Sequence, residues 1–172
     1  MKRLTIIIDM QKDFVDGALG TREAQQIVEP LVRYVKDQQR QGTEVVFTMD
    51  THFENYLDTQ EGKNLPVPHC IKGTEGWELI EQLKPLAKDC RIFEKPTFGS
   101  MELAEFVRRG GYEEIALAGL CTDICVISNA MLLKAAVPES NVAIISSCCA
   151  GVTPESHENA LKAMRMCQIV IS

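Results

Sequence analysis

The chain has 172 residues, of which 45% are hydrophobic and 24% are charged, and its formal net charge is −6. This length and composition suit one globular domain with a full core and argue against a disordered or fibrous chain. The acidic balance offers no basic surface for nucleic acid and disfavours anionic membranes. We therefore expect one domain over residues 1–172 that takes neither nucleic acid nor a membrane as its partner.

The seven cysteines argue against a disulfide framework, because their number is odd and several of them lie inside apolar runs. We expect Cys70, Cys90, Cys148, Cys149 and Cys167 to be small hydrophobic residues of the core. The start of the chain has no signal-peptide pattern, and no apolar stretch approaches the length of a membrane span. These observations predict a cytoplasmic protein with reduced thiols.

Apolar runs alternate with helical spacings along the whole chain, which predicts strands separated by helices. Strands are predicted at residues 4–8, 44–49, 90–93, 115–118, 142–145 and 169–171. Helices are predicted at residues 27–38, 77–83 and 126–136, and from 154 to about 164; a further helix follows Ser100, carries Leu103, Phe106 and Val107, and ends at Gly110-Gly111. Ser100 and Thr153 are expected to be N-caps, Gly42 a C-cap, and Pro85 the residue that stops the second helix.

Six strands separated by helices predict an α/β fold with one domain. We expect a doubly wound, six-stranded, mostly parallel sheet with helices on both faces, of the Rossmann-like type. The connection at residues 50–76 is too long and polar for a simple loop, and such loops are usually functional or disordered. It holds two of the three histidines. The third, His157, lies in the last predicted helix and is expected to be a solvated surface residue.

Asp9, Lys95 and Cys125 each follow an apolar run that is typical of a buried strand. In an open parallel sheet, ligands bind in the crevice outside the carboxyl ends of the strands, so these three side chains are expected to meet there. An acid, a cation and a thiol in one place are the parts of a thiol-based hydrolase.

Cys125 is expected at the start of a helix that Thr122 or Asp123 caps. Amide groups at a helix N-terminus would then lower the pKa of its thiol and favour the thiolate. Cys121 is the nearby competitor, but it lies before the helix begins.

Asp9 is preferred as the base over Asp13 and Asp16, because it follows the buried run directly. Burial raises the pKa of a carboxylate and suits it to accept the proton of a thiol. Asp9 could instead be only a cap for the following turn, and Lys95 could be an ordinary solvated lysine. The coincidence of all three groups on one sheet edge favours the catalytic interpretation.

Asp50 and His52 lie two residues apart at the end of the second predicted strand, so their side chains project to the same side. His69 could complete a metal site, and Glu54 and Glu61 are possible further oxygen ligands. Two histidines and a carboxylate suit zinc, iron or manganese. Alternatively, His52 forms hydrogen bonds within the loop.

Five segments resemble the isochorismatase-like cysteine hydrolases, and within them the nicotinamidase branch, over nearly the whole chain. The segments are IIDMQKDF at 7–14, TMDTH at 48–52, PHCIKGTEG at 68–76, KPTFGS at 95–100 and GLCTDICV at 119–126. The resemblance implies a catalytic triad of Asp9, Lys95 and Cys125. It also implies a cis peptide at Leu120–Cys121, with the N–H groups of Cys121 and Cys125 forming an oxyanion hole.

The resemblance further implies a divalent metal, zinc or else iron or manganese, held by Asp50, His52 and His69. Many nicotinamidases carry another histidine a few residues beyond the Asp-x-His pair, and this chain has none there. Glu61 is therefore a candidate for the open ligand position. Phe14 and Phe98 are candidates for the aromatic walls of a substrate pocket, although both could be ordinary packing residues.

The activity that the resemblance implies is hydrolysis of a small amide through a cysteine thioester, with nicotinamide as the best single substrate. Alternatives are a hydrolase for another small amide, a ureido acid or a vinyl ether, and a family member that binds a small ligand without catalysis. Family members often form dimers or tetramers, so a homo-oligomer is expected.

Overall fold

Six strands form one sheet in the computed structural model, which describes residues 1–172. The strands are β1 Arg3–Ile8, β2 Glu44–Asp50, β3 Arg91–Lys95, β4 Glu114–Leu120, β5 Asn141–Ala150 and β6 Val170–Ile171. Their order in the sheet is β3-β2-β1-β4-β5-β6, and every neighbouring pair is parallel. The predicted fold class is confirmed, and the sheet is parallel throughout.

The α-helices all lie in the connections between these strands. They are α1 Lys12–Val15, α2 Arg22–Gln26, α3 Val28–Arg40, α4 Gln60–Asn64, α5 Lys84–Ala87, α6 Met101–Gly110, α7 Ile127–Ala136 and α8 Pro154–Met166. None of them combines the length and the apolar character that crossing a membrane requires.

The two faces of the sheet carry separate hydrophobic cores. Successive side chains of a strand point to opposite faces, so Ile6 and Ile8 of β1 join one core and Ile7 joins the other. Helices α6, α7 and α8 pack against the first core, and α3 packs against the second. Because β1 is buried on both sides, its sequence reads as a continuous apolar run instead of an alternating one.

The strand order reverses between β1 and β4, which are neighbours in the sheet although β2 and β3 come between them in the chain. In doubly wound sheets the crevice at such a reversal is the usual ligand site. Asp9 follows β1 and the turn at 121–125 follows β4, so the chain places both at this crevice. Asp50 and Lys95 end the adjacent strands and are paired in register.

Gly119 permits the end of β4 to approach β1 closely. Its φ of 126° is one that residues with a side chain rarely adopt, and a Cβ atom there would collide with the carbonyl oxygen of Ile8. The register between β4 and β5 also shifts between Leu117 and Gly119. This glycine therefore sets the path of the backbone into residues 121–125, which are here called the cysteine turn.

The predicted helix over residues 77–83 is wrong. Glu75–Trp77 forms a short 3-10 turn, Leu79 makes an isolated bridge with Gln11, and α5 begins only at Lys84. Pro85 therefore starts a helix instead of stopping one, because the first turn needs no N–H donor there. The loop at 50–76 is also less irregular than expected, since it contains α4 and the 3-10 turn Tyr56–Asp58.

Three predicted caps are found at helix ends. Ser100 Oγ accepts a hydrogen bond from the N–H of Leu103 at 3.1 Å, and Gly42 adopts a φ of 73° just beyond α3. Thr153 and Ser156 form a reciprocal capping box at the start of α8.

Replacing Thr153 by alanine is expected to lower the free energy of unfolding by about 1 kcal/mol, because the helix loses an N-cap acceptor. Urea unfolding followed by circular dichroism measures this loss. Lys162→Ala on the exposed side of α8 is the matched control and should leave stability nearly unchanged. Equal effects of the two substitutions would contradict the assigned cap.

Candidate active site

Cys125, Asp9 and Lys95 meet in one buried group at the carboxyl edge of the sheet. Nζ of Lys95 lies 2.6 Å from Oδ2 of Asp9 and 3.4 Å from Sγ of Cys125. The three residues are 4%, 0% and 0% exposed, respectively. The structure thus brings together an acid, a cation and a thiol that lie far apart in the chain.

Contacts at the strand ends hold the acid and the cation in place. The hydroxyl of Thr48 in β2 donates to Oδ1 of Asp9 at 2.6 Å, and the Asp9 N–H donates to the Thr48 carbonyl at 3.2 Å. Lys95 ends β3 and donates a hydrogen bond to the carbonyl of Thr97 at 3.0 Å. Both charged groups are therefore fixed before any ligand arrives.

Burial dominates the electrostatics of this group. It raises the pKa of Asp9, and the positive charge of Lys95 offsets part of that rise. Burial alone would lower the pKa of Lys95, but the charges of Asp9, Cys125 and Asp50 outweigh it and raise that pKa. Asp9 is therefore a stronger base than an ordinary aspartate, beside a lysine that keeps its proton.

The expectation that helix amides lower the pKa of the Cys125 thiol is wrong in its net direction. Burial raises the pKa of Cys125 well above its ordinary value, the Asp9 carboxylate raises it further, and Lys95 only partly offsets this. The resting sulfur is therefore a protonated thiol, and it needs a base within reach to become a nucleophile.

The predicted capping of the cysteine helix is also wrong. Thr122–Val126 forms a π-helical turn before α7, and no side chain caps it. The hydroxyl of Thr122 instead shares a hydrogen bond of 2.7 Å with Nδ1 of His157, and the Asp123 carboxylate accepts from the Val152 N–H at 3.2 Å. His157 is consequently half-buried and is not the solvated surface residue that was expected.

Cys121 borders the same crevice in front of this turn. The peptide bond between Leu120 and Cys121 is cis, as the family resemblance implies. The Cys121 N–H donates to no backbone carbonyl of the chain. Burial raises the pKa of the Cys121 thiol to about 12, as it raises that of Cys125, but only the Cys125 sulfur has a hydrogen bond to the Lys95 ammonium, so Cys121 is the poorer candidate nucleophile.

A second cluster lies beside the thiol and brings together Asp50, His52, His69 and Glu61. One ligand atom from each residue lies within 4.8 Å of the others, in a mostly buried position. Glu54, the other acidic candidate, is exposed and lies outside the cluster. The four side chains form a possible metal-binding site.

The spacing of these atoms fits a small divalent cation. Nε2 of His52 lies 3.0 Å from Oδ2 of Asp50 and 3.5 Å from Oε1 of Glu61, and Nε2 of His69 lies 3.4 and 3.6 Å from the same two oxygens. Ligands bound to zinc at about 2.0–2.2 Å would be separated by about 2.8–3.1 Å in adjacent octahedral positions and by about 3.3–3.6 Å in tetrahedral geometry. The four histidine–carboxylate separations fall within these ranges.

The tautomer of His69 also favours a metal. Its Nδ1 lies 2.8 Å from the Val67 carbonyl, which can only accept, so Nδ1 must donate. In the neutral ring, the lone pair of Nε2 then faces the carboxylates of Asp50 and Glu61. Metal-binding histidines commonly donate their other N–H to a backbone carbonyl in this way.

Without a metal, protons must balance the negative charge of this cluster. Burial alone would raise the pKa of Asp50, but hydrogen bonds from His52 and His69 and the charge of Lys95 hold it below its usual range. Burial would lower the pKa of His52, yet Asp50 and Glu61 raise it to about 9. The site therefore attracts a cation, whether a proton or a metal ion.

Gln11 fixes Asp50 and was not predicted from the sequence. Its side chain is fully buried, donates to the carbonyls of Asp50 and Trp77 at 2.8 Å each, and accepts from the Asp50 N–H at 2.7 Å. A polar residue shortly after a buried strand was the only available signal, and it did not distinguish this role from a simple turn.

One small cavity joins the thiol to the second cluster. Asp50, Glu61 and His69 border it together with Cys121 and Cys125, and apolar side chains complete the walls. These apolar side chains are Phe14, Leu19, Leu65, Phe98 and Ile124. Both aromatic candidates thus border the cavity, and no lysine or arginine side chain does.

The remaining cysteines only partly match the expected core positions. Cys70, Cys148 and Cys149 are buried, whereas Cys90 is half-exposed and Cys167 is exposed. Cys167 follows α8, where the apolar face of that helix has ended, so the prediction of burial was wrong there.

Comparisons with known proteins give consistent matches over most or nearly all of the chain. The family model of the isochorismatase domain matches residues 3–172. A curated relative, the uncharacterized isochorismatase family protein PncA of Bacillus subtilis, is 36% identical over 143 residues, which cover 76% of this chain and 78% of the relative.

Two solved structures resemble the chain from end to end. The nicotinamidase/pyrazinamidase PncA of Bacillus subtilis is 32% identical, with a TM-score of 0.88 and full coverage of both chains. The pyrazinamidase of Pyrococcus horikoshii in complex with zinc is 28% identical, with a TM-score of 0.87, and the match covers 100% of this chain and 99% of that one.

Proposed function

Because the chain belongs to the isochorismatase family, we propose that it is a cysteine-dependent amidohydrolase that converts nicotinamide to nicotinate and ammonia. One observation carries the proposal: a single cavity is bordered by the Cys125 thiol and by three members of the histidine–carboxylate cluster. A thiol beside an acid and a cation suits acyl transfer, and the cluster suits a metal that orients a ring. The similarity to a nicotinamidase/pyrazinamidase supports the same reaction.

The first half of the reaction acylates the thiol. Asp9, whose pKa is raised by burial, accepts the proton of Cys125 while the sulfur attacks the amide carbonyl carbon. The ammonium of Lys95, 3.4 Å from the sulfur, stabilises the negative charge that develops there. Because the thiol loses its proton as the sulfur attacks, the reaction does not require a thiolate in the resting enzyme, which burial disfavours.

The oxyanion of the tetrahedral intermediate is held by the N–H groups of Cys121 and Cys125, which act as preorganised donors. Asp9 then returns its proton to the leaving nitrogen, and ammonia departs from a thioester. Water attacks the thioester while Asp9 accepts its proton, which releases nicotinate and restores the thiol. One carboxylate thus serves as base and acid in turn.

Asp50, His52, His69 and Glu61 would hold the metal, and zinc fits their donor set and spacing. When bound, the zinc ion supplies a Lewis-acidic contact for the ring nitrogen of the substrate. The chain itself would supply aromatic walls from Phe14, whose ring centroid is 5.5 Å from that of His69, and from Phe98, since both border the cavity.

The lining of the cavity favours a neutral substrate over a ureido acid. A ureido acid carries a carboxylate, and the cavity presents two acidic side chains, Asp50 and Glu61, and no lysine or arginine, so the metal would be its only cationic partner there. A flat, uncharged heteroaromatic amide needs no such partner. This disfavours the ureido-acid alternative among the candidate reactions.

The proposal is tested by measuring ammonia release from nicotinamide, pyrazinamide and a small ureido acid with zinc-loaded protein. We expect both aromatic amides to be hydrolysed and the ureido acid to react far more slowly. Faster reaction of the ureido acid would replace the proposed substrate, and release from none of the three would favour a family member that binds ligands without catalysis.

Replacing His69 by alanine is expected to lower the zinc affinity by at least about 100-fold, because even groups that only support a ligand contribute 10–100-fold. Zinc per chain after dialysis is measured by elemental analysis, and KM for nicotinamide should rise. Glu54→Gln, in the same loop but outside the cluster, is the matched control and should keep its zinc. Equal zinc content in both variants would contradict the assigned site.

A further inference from the structure

Asn129 is a buried polar residue of α7 that the mechanism above does not use. It lies one helical turn beyond Cys125 and is 1% exposed. Its Oδ1 accepts from the N–H of Ser100 at 2.9 Å, and its Nδ2 donates to the carbonyls of Phe98 and Cys125 at 3.0 and 2.8 Å. One amide therefore ties a separate loop to the backbone of the nucleophile.

Burial makes these contacts obligatory. A buried amide must use its donors, and both N–H groups of Asn129 are engaged. Because the two acceptors belong to different segments, the side chain fixes their separation as well as its own orientation. Its loss would leave both carbonyls without this partner.

The tied segment, residues 97–100, carries two parts of the active site and is here called the 97–100 loop. The carbonyl of Thr97 accepts the hydrogen bond of the Lys95 ammonium, and the side chain of Phe98 borders the cavity. Phe98 is 42% exposed, so packing on its outer side cannot hold it in place. Its backbone must be held instead.

The 97–100 loop also packs tightly against α7. A Cβ atom at Gly99 would lie 2.6 Å from Cδ1 of Leu132, so the loop backbone rests directly on the helix. Ser100 then starts α6 as its N-cap. The loop is thus seated on α7, and Asn129 makes the hydrogen bonds that set its position along the helix.

We infer that Asn129 is a positioning residue that fixes the 97–100 loop to the cysteine turn and so sets the place of Phe98 and of the Lys95 ammonium relative to the Cys125 sulfur. The kinetic test of this inference rests on the proposed function, because it measures hydrolysis of nicotinamide. The expectation that the 97–100 loop covers the Cys125 thiol does not depend on the substrate.

Asn129→Ala is expected to lower kcat/KM for nicotinamide by about 100-fold, the cost of a displacement of about 1 Å among catalytic groups. KM should rise because Phe98 moves, and kcat should fall because Lys95 moves. Asn129→Asp keeps the shape of the side chain and at most one of its two N–H donors, so it should likewise raise KM and lower kcat.

Tyr112→Phe is the matched control, because Tyr112 is also buried and its hydroxyl donates to Glu44 at 2.8 Å, far from the cavity. It should lower the melting temperature comparably and leave kcat and KM unchanged. Kinetics are compared well below the melting temperatures of all the variants, so that unfolding contributes nothing to the difference.

Cysteine labelling gives a readout that requires no substrate. Freed from Asn129, the 97–100 loop should uncover the thiol, so N-ethylmaleimide should label Cys125 severalfold faster in Asn129→Ala, as measured by peptide mass spectrometry. Cys70 and Cys149 lie in the two cores and report opening of the whole domain. Their labelling should not change.

Faster labelling of Cys125 alone, with slower turnover, supports the inference. Parallel acceleration at Cys70 and Cys149 would reduce Asn129 to a general stabilising residue and overturn it, and so would unchanged labelling of Cys125. If the wild-type protein hydrolyses no amide, the proposed function fails, and the labelling rates still decide the role of Asn129.

Discussion

Replacing Cys125 by alanine is expected to abolish ammonia release from nicotinamide, with kcat/KM falling by about 10⁴-fold or more, as for the loss of other enzymatic nucleophiles. The sulfur is the only nucleophile placed beside both Asp9 and Lys95, and no thioester can form without it. Ammonia and nicotinate are both quantified, so that a contaminating ammonia source cannot imitate activity.

Cys121→Ala is the matched control for this substitution. Cys121 borders the same cavity, but its proposed contribution is its backbone N–H, which alanine retains. Activity within a fewfold of wild type is therefore expected. Turnover that survives in Cys125→Ala, or that disappears equally in Cys121→Ala, would contradict the assignment of the nucleophile.

Replacing Asp9 by asparagine is expected to lower kcat by about 10³-fold, within the range that general acid–base groups contribute. Asparagine has nearly the same shape but cannot accept the thiol proton, and burial keeps the thiol protonated. Stability should fall as well, because the fully buried Lys95 loses the carboxylate 2.6 Å from its ammonium. Steady-state kinetics and urea unfolding measure the two effects.

Asp16→Asn is the control for this substitution, since Asp16 is exposed and lies just beyond α1. It should change neither kcat nor stability appreciably. Asp13 is a poor control because its carboxylate accepts from the N–H of Cys70 and so holds the histidine loop. Nearly full turnover by a folded Asp9→Asn protein would show that another group removes the proton.

The proposed catalytic group is predictable from sequence because the ends of parallel strands become neighbours at one edge of the sheet. Asp9, Lys95 and the turn around Cys125 each follow a strand whose burial leaves a continuous apolar signature. The proposed metal ligands Asp50 and His52 are predictable for a similar reason, since alternation in extended chain puts both on one side. In each case, local pattern and global topology agree.

Local signals fail where a distant partner competes for the same group. Thr122 and Asp123 are good N-cap residues, but His157 and the N–H of Val152 bind their side chains from across the fold. Pro85 is compatible with either end of a short helix, and only packing of residues 77–80 against α1 and its flanks decides between them. Propensity alone cannot rank such alternatives.

The residues that hold the site in place have no visible sequence signal. Thr48 is a β-branched residue in a strand, as expected from propensity alone, and its hydrogen bond to Asp9 depends on the neighbouring strand. Gln11 and Asn129 are amides whose partners lie on other segments. Their roles follow from which backbone groups the fold leaves unpaired.

The site combines two demands that oppose each other. The thiol needs a buried, water-poor crevice where charge stabilisation is strong, but burial raises its pKa and removes the thiolate. In the proposed mechanism, Asp9 and Lys95 resolve this conflict as a fixed ion pair, in which Asp9 takes the thiol proton only when the sulfur attacks. The hydrogen bonds of Thr48 and Thr97 keep that pair in position.

A crystal structure of the Cys125→Ala variant with nicotinamide tests the central claim most directly. We predict that the amide oxygen lies within hydrogen-bond distance of the N–H groups of residues 121 and 125. The ring should lie between Phe14 and Phe98, with Asp9 and Lys95 facing the carbonyl carbon. Nicotinamide bound away from this crevice, or acid and ammonium groups turned toward separate regions, would contradict the mechanism.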